Sequence, residues 1–176
     1  MYIMIQKCSR IRVLEVFFKE PTKIHFIKEI SKRIKLAPTS VRKYIKEFLE
    51  EGLIKVREAR PFNGYVANRD SEEFIFLKRV YNLLSIKDLR KELIETFYPE
   101  AIVLFGSFAL GEDIEESDID LVIITKGKKK RIDLSKYENE LGRKIHLIVI
   151  DNLKRVNKNV RKKILNGIVI WGEING

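Results

Sequence analysis

Cysteine is almost missing from this chain. Cys8 is the only one among 176 residues. No internal disulfide can form, so a small secreted fold that depends on staples is excluded. Long apolar runs are missing too, and none approaches the roughly 18 residues of a membrane span. Met1 to Arg12 has neither a continuous apolar stretch nor a small-residue cleavage site, so no signal peptide is expected. A cytoplasmic protein with no membrane partner is the expectation. Gln6 is the single glutamine amid abundant Lys, Glu and Ile, a bias shared with heat-adapted proteins. Hydrophobic residues still make up 45%, which excludes a disordered basic tail.

What is present in excess is positive charge. The formal net charge is +10, and it is uneven. Residues 1–70 hold 16 Lys+Arg against 8 Asp+Glu, whereas residues 71–176 hold 19 against 17. The front of the chain therefore suits a polyanion partner. Charge alone equally fits a lysine-rich solvated face. Composition shifts near residue 70, so two domains are expected, 1–70 and 71–176, with no internal repeat.

The front domain reads as three helices and a hairpin. Leu14, Phe17 and Phe18 keep helical spacing within Ser9 to Lys19, and Pro21 stops that helix. A second helix is expected from His25 to Ile34, with Phe26, Ile27, Ile30 and Ile34 inward. After a short turn, Lys35 to Ala37, Pro38 suits the first position of a third helix, where its missing N–H costs nothing. Val41, Tyr44, Ile45, Phe48 and Leu49 form one face of it, and Gly52 can close its end. Leu53 to Glu58 and Tyr65 to Asn68 read as strands around a turn containing Pro61, Asn63 and Gly64.

Helix, helix and hairpin in this order make a winged helix. The stretch SVRKYIKEFLEEGLIKVRE, Ser40 to Glu58, resembles the recognition helix and first wing strand of prokaryotic winged-helix DNA-binding domains. The third helix would then present Thr39, Ser40, Arg42, Lys43 and Lys46 to a major groove. Lys55, Arg57 and Arg60 on the wing would suit phosphates. Protein contact or homodimerisation is the other use of such a domain.

Two more helical patterns follow. Ser71 to Ser85 opens with a capping serine and two acids and carries Phe74, Leu77, Val80, Tyr81 and Leu84. It is expected to be a connector. Ile86 to Phe97 carries Leu89, Leu93, Ile94 and Phe97, and Pro99 ends it.

The most informative segment comes next. Ala101 to Phe105 (AIVLF) is a buried-strand pattern running into Gly106-Ser107. Ten residues later come Asp118-Ile119-Asp120, and Leu121 to Thr125 continues as an apolar strand. Gly106 lets a phosphate approach the backbone, and Ser107 offers a hydroxyl and an N–H at a helix start. Asp118 and Asp120 stand two apart, which puts both carboxylates on one side of a strand. Paired carboxylates there suit Mg²⁺, which takes few protein ligands and keeps phosphate oxygens and water. Such an arrangement fits in-line phosphoryl displacement.

Ala101 to Ile124, AIVLFGSFALGEDIEESDIDLVII, resembles the DNA polymerase β nucleotidyltransferase superfamily, and within it the minimal nucleotidyltransferases of archaea and bacteria. The resemblance spans about residues 86–151. It implies an α+β domain with a small mixed sheet and helices on one side, an NTP donor such as ATP, and Mg²⁺ or Mn²⁺. It also implies that Gly106 and Ser107 hold the triphosphate while Asp118 and Asp120 hold metal. Many minimal members are antitoxins that transfer AMP to a HEPN-type toxin, and some members are fused to DNA-binding domains.

Two positions depart from the family pattern. Leu110 stands where a basic residue is frequent. The third carboxylate of the family falls on His146, within the strand pattern KIHLIVI of Lys144 to Ile150. Histidine can accept a proton, but it is a softer and poorer ligand for Mg²⁺. His146 is therefore either a modified catalytic residue or a plain one. Asp133 and Asp151 are poor substitutes. A basic helix is expected over Asn152 to Leu165, with Val156, Val160, Ile164 and Leu165 inward. A last strand is expected over Ile168 to Trp171, with Trp171 in packing. The reading is thus a DNA-binding nucleotidyltransferase. Its rivals are a regulator or antitoxin with a degenerate transferase site, and a pure protein-interaction module.

Overall fold

The computed structural model describes residues 8–58, 62–127 and 131–174. The chain forms two compact units, 1–78 and 79–176, and the division falls inside one helix. Among the described residues no helix is long and apolar enough to cross a membrane.

The first unit contains α1 (Ser9–Lys19), α2 (Ile27–Ile34), α3 (Pro38–Glu50), β1 (Ile54–Arg57) and β2 (Gly64–Ala67). The three helices pack on one another. Val13 and Phe17 of α1, Ile30 of α2, and Val41, Ile45 and Phe48 of α3 are buried. Pro38 opens α3 as expected. The tight turn between α2 and α3 is held locally. Leu36 N–H donates to Ser31 O at 3.1 Å, and the Ser31 hydroxyl donates to Leu36 O at 2.6 Å.

One expectation needs correction. The second helix starts at Ile27, not His25. His25 N–H donates to Tyr65 O at 2.8 Å, and Tyr65 N–H donates back at 2.9 Å. A residue whose backbone groups are both committed to a strand cannot begin a helix. The His25 ring is buried edge-on to Phe17, while Phe26 is left exposed.

Helix α4 (Glu72–Ser85) carries the division between the units. Its start is capped as expected, Phe74 N–H donating to Ser71 Oγ at 3.3 Å.

The second unit contains α5 (Lys87–Phe97), β3 (Ala101–Phe105), α6 (Gly106–Leu110), β4 (Ile119–Ile124), α7 (Ser135–Leu141), β5 (Ile145–Ile150), α8 (Lys158–Leu165) and β6 (Ile168–Gly172). The sheet order is β5-β4-β3-β6. β4 and β5 are parallel, and the other pairs are antiparallel. Every residue of β3 is buried, as its unbroken apolar run requires of a central strand.

The alternation of side chains divides the core. Ile102, Leu104, Leu121 and Ile123 meet Leu89, Leu93 and Phe97 of α5, with Tyr137 of α7. Val103, Phe105 and Val122 point to the other face, where Ile164 of α8 packs. The mixed sheet with helices is as expected, and α8 adds cover on the second face.

The C-terminal helix differs from expectation. Asn152 accepts from Lys154 N–H at 2.8 Å and opens a single 3₁₀ turn, Leu153–Arg155. Val156 is extended, and Asn157 then caps α8 by accepting from Asn159 N–H at 2.9 Å. Two asparagines that each bond the backbone two residues on interrupt a continuous helix. Val156, Val160 and Ile164 face the core as expected, whereas Leu165 is exposed. Trp171 is also partly exposed, with the Arg90 guanidinium 5.5 Å from its ring centre.

The Tyr137 hydroxyl donates to Glu92, and that bond pushes its ionisation up to about 12. The bond requires the protonated phenol. Its stabilisation is therefore whole below about pH 10 and is lost as pH rises towards 12. In an ultraviolet difference titration between wild type and Tyr137→Phe, the extra phenolate should appear near pH 12. Appearance near pH 10 would show that the bond is absent.

Candidate active site

Gly106 of the Gly-Ser turn and Asp120 of the acidic pair meet because of strand pairing. β3 delivers Gly106 at its end, and β4 runs back beside it with Phe105 opposite Asp120. Gly106 has φ +76, and a Cβ there would lie 2.5 Å from Asp120 Oδ2. Two independent constraints therefore demand glycine: a left-handed backbone and a carboxylate in the space a side chain would fill. Ser107 follows as the second residue of α6, half-buried.

β5 lies on the other side of β4, and its parallel register sets His146 opposite Asp120. His146 Nδ1 is 3.2 Å from Asp120 Oδ1. The imidazole side chain is 62% exposed and the carboxylate 29%, so the pair sits at the surface end of the sheet. Asp118 stands one residue ahead of β4 and is exposed. Strand pairing begins only at Ile119, whose N–H donates to Lys144 O at 2.8 Å.

Among the described residues no three His, Cys, Asp or Glu side chains converge as a complete metal-binding group. The donor chemistry nevertheless fits a Mg²⁺-type ion. Asp120 keeps an acceptor oxygen beyond the one His146 meets, Asp118 is open to solvent, and such ions complete their shell with phosphate oxygens and water.

The two rejected acids are engaged elsewhere. Asp133 accepts from Ser135 N–H at 3.0 Å ahead of α7, and its hydrogen bonds to Ser135 hold its carboxyl below the usual range. Asp151 is bonded by Arg155. At Leu110, where a basic side chain is lacking, a guanidinium arrives from α4. Arg79 Nη2 donates to Leu110 O at 3.2 Å.

Three residues of this site escaped the sequence reading. Asn82, Asp113 and Arg143 form a buried polar group behind the acidic loop. Asn82 Nδ2 donates to Phe108 O and to Asp113 Oδ1, each at 2.8 Å. Arg143 Nη2 lies 2.7 Å from Asp113 Oδ2. Arg143 Nη1 donates to Ile114 O, and to Ser117 O at 3.0 Å. A faint signal existed for Asn82, a polar residue eight after buried Phe74 along α4. None marked Asp113 among its neighbouring glutamates.

On the winged helix, Thr39, Arg42, Lys43 and Lys46 are exposed on α3, and Ser40 is half-buried. Lys43 and Lys46 face Glu47 and Glu50 at 4.0 and 3.7 Å, weak surface pairs that a phosphate can replace. Lys55 is more firmly held, 2.6 Å from Asp70 Oδ2. Its hydrogen bond keeps the Asp70 carboxyl below the usual range. Arg57 is exposed, and Arg60 lies outside the described residues.

Comparison with known proteins agrees with this architecture. Residues 86–170 match the model of the nucleotidyltransferase domain, and residues 27–55 match a winged helix-turn-helix DNA-binding model. The chain belongs to the nucleotidyltransferase-domain family, of DNA polymerase β-like fold, and carries a winged helix-turn-helix domain ahead of it. It is similar to "Putative protein adenylyltransferase MJ1215" of Methanocaldococcus jannaschii, 36% identical over 83 residues. That match covers 43% of this chain and 96% of the relative.

Gly106→Ala should destabilise the second unit through both constraints. The backbone conformation alone costs roughly 1–2 kcal/mol for a residue with a Cβ. In an Asp120→Ala background the steric part disappears, so the same substitution should cost less. Urea unfolding of the four proteins measures this. Equal costs in both backgrounds would show that Asp120 does not crowd Gly106.

Proposed function

We propose that this protein is a metal-dependent nucleotidyltransferase whose winged helix binds DNA. The observation that carries the reading is the meeting of Gly106, Asp120 and His146 across three strands. Gly106 and Ser107 hold the triphosphate of an NTP at the opening of α6. Asp118 and Asp120 hold Mg²⁺ or Mn²⁺, which when bound neutralises phosphate charge and aligns the reacting groups. An acceptor hydroxyl attacks the α-phosphorus, a new P–O bond forms there, and pyrophosphate leaves with the bridging oxygen. His146, with Nδ1–H donating to Asp120, keeps Nε2 as the acceptor for the hydroxyl proton. The name of the archaeal relative favours ATP as donor and a protein as acceptor. A HEPN-type toxin is one such acceptor.

A second reading rests on His146 and Leu110, which stand where the family has an acid and a base. On it the chain is a DNA-binding regulator or antitoxin that binds NTP without transferring it.

Incubation with α-labelled ATP, Mg²⁺ or Mn²⁺ and cell extract separates the two. Transfer is expected, with Asp118→Asn and Asp120→Asn abolishing it and His146→Ala slowing it by about 10²–10⁴-fold. No transfer with either metal would establish the second reading. For the winged helix, Arg42→Ala with Lys43→Ala should weaken DNA binding about tenfold or more and flatten its salt dependence. Unchanged affinity in a salt titration would rule out α3 as the groove-facing helix.

A further inference from the structure

We infer that Asn82, Asp113 and Arg143 are positioning residues that hold the phosphate-binding turn and the metal-binding loop in fixed relation. The inference rests on the transferase reading and adds residues that no motif of that reading contains.

The loop between α6 and β4 is the weak point of the site. It spans residues 111–118, has no regular structure apart from turns, and ends on Asp118, which is exposed. Asp118 has no strand partner to hold its backbone, because pairing begins at Ile119. Something else must fix it, since a misplacement of about 1 Å at a reacting centre can cost roughly 10²-fold in rate.

Arg143 meets that need from the residue pair preceding β5. One guanidinium reaches the loop at four places: the Asp113 carboxylate and the carbonyls of Ile114, Glu115 and Ser117. The last of these belongs to the residue directly before Asp118. The guanidinium carbon also lies 5.7 Å from the Phe108 ring centre. Asn82 extends the same network to the other half of the site. Its amide bridges Asp113 and the carbonyl of Phe108, in the helix that begins with Gly106 and Ser107.

The network is buried. The Asp113 side chain is fully buried and that of Arg143 is 8% exposed. Buried charges are costly unless paired and fully hydrogen-bonded, and an apolar pair of similar volume would often be as stable. Stability alone therefore does not account for their placement. A guanidinium can bond one carboxylate and several carbonyls at once because its donors are fixed in a plane. An ammonium keeps the charge but not that geometry.

Arg143→Lys tests this in the full chain. The readout is the metal-dependent gain in ATP affinity, the ratio of Kd in EDTA to Kd in Mn²⁺, measured by calorimetry. Arg143→Lys should cut that gain about tenfold or more while leaving the metal-free Kd in place. The double variant with Asp118→Asn should lose no more than Asp118→Asn alone, because both changes act through one carboxylate. Asn82→Ala removes the second link without leaving a buried charge unpaired, and it should lower the same gain. Amide exchange over residues 112–118 should rise in both variants while the sheet stays protected.

An undiminished gain in Arg143→Lys and Asn82→Ala would overturn the inference alone. So would a loss in the double variant equal to the product of the separate losses, the mark of a merely structural role. No metal-dependent gain in the wild type would overturn the transferase reading, and this inference with it.

Discussion

Antiparallel pairing of β3 with β4, with Phe105 opposite Asp120, is the constraint on which the second unit depends. It brings a residue without a side chain against a carboxylate, with 2.5 Å between the missing Cβ position and Oδ2. A slip of one residue in that register would move Asp120 to the opposite face and bury it where Leu121 and Ile123 now pack. The apolar alternation that builds the two cores also sets the face on which the acid appears. Packing and chemistry are two consequences of one register.

The parallel strand β5 repeats the logic. Ile145 packs on one face, so His146 must emerge on the other, beside Asp120. The loop and turn around this edge have no such ladder. They are held by a buried carboxylate, amide and guanidinium that pair with one another, the amide bonding the Phe108 carbonyl and the guanidinium the carbonyls of Ile114 and Ser117. The fold therefore uses apolar registry for the strands and a buried polar network for the segment that strands cannot reach.

Much of this was legible beforehand because it rests on local spacing. The glycine, serine and acidic pair lie within fifteen residues of one another, and the helix-turn-helix is marked by Pro38 and its apolar face. The failures share a different cause. His25 was read as helical because its neighbours are apolar, yet its backbone is taken by Tyr65, forty residues away. The helix of Asn152 to Leu165 was read as continuous because its apolar spacing is good, yet two asparagines bond their own backbone and divide it. Lys55 is expected to suit a phosphate, and the fold adds a partner that no local pattern marks, Asp70, fifteen residues on, which accepts its hydrogen bond.

By itself the sequence indicated the two kinds of domain and the order of most of their elements, and it singled out Gly106, Ser107, Asp118 and Asp120 as candidate site residues. The elements follow from periodicity within short stretches, whereas the kind of the second domain is what the resemblance of Ala101 to Ile124 implies. Only the tertiary structure decided that His146 touches Asp120, and that Asn82, Asp113 and Arg143 close into one network. Those contacts join strands, helices and loops 26 to 31 residues or more apart. No local pattern marks which of several acids will be buried. That is settled by which one meets a guanidinium when the sheet assembles.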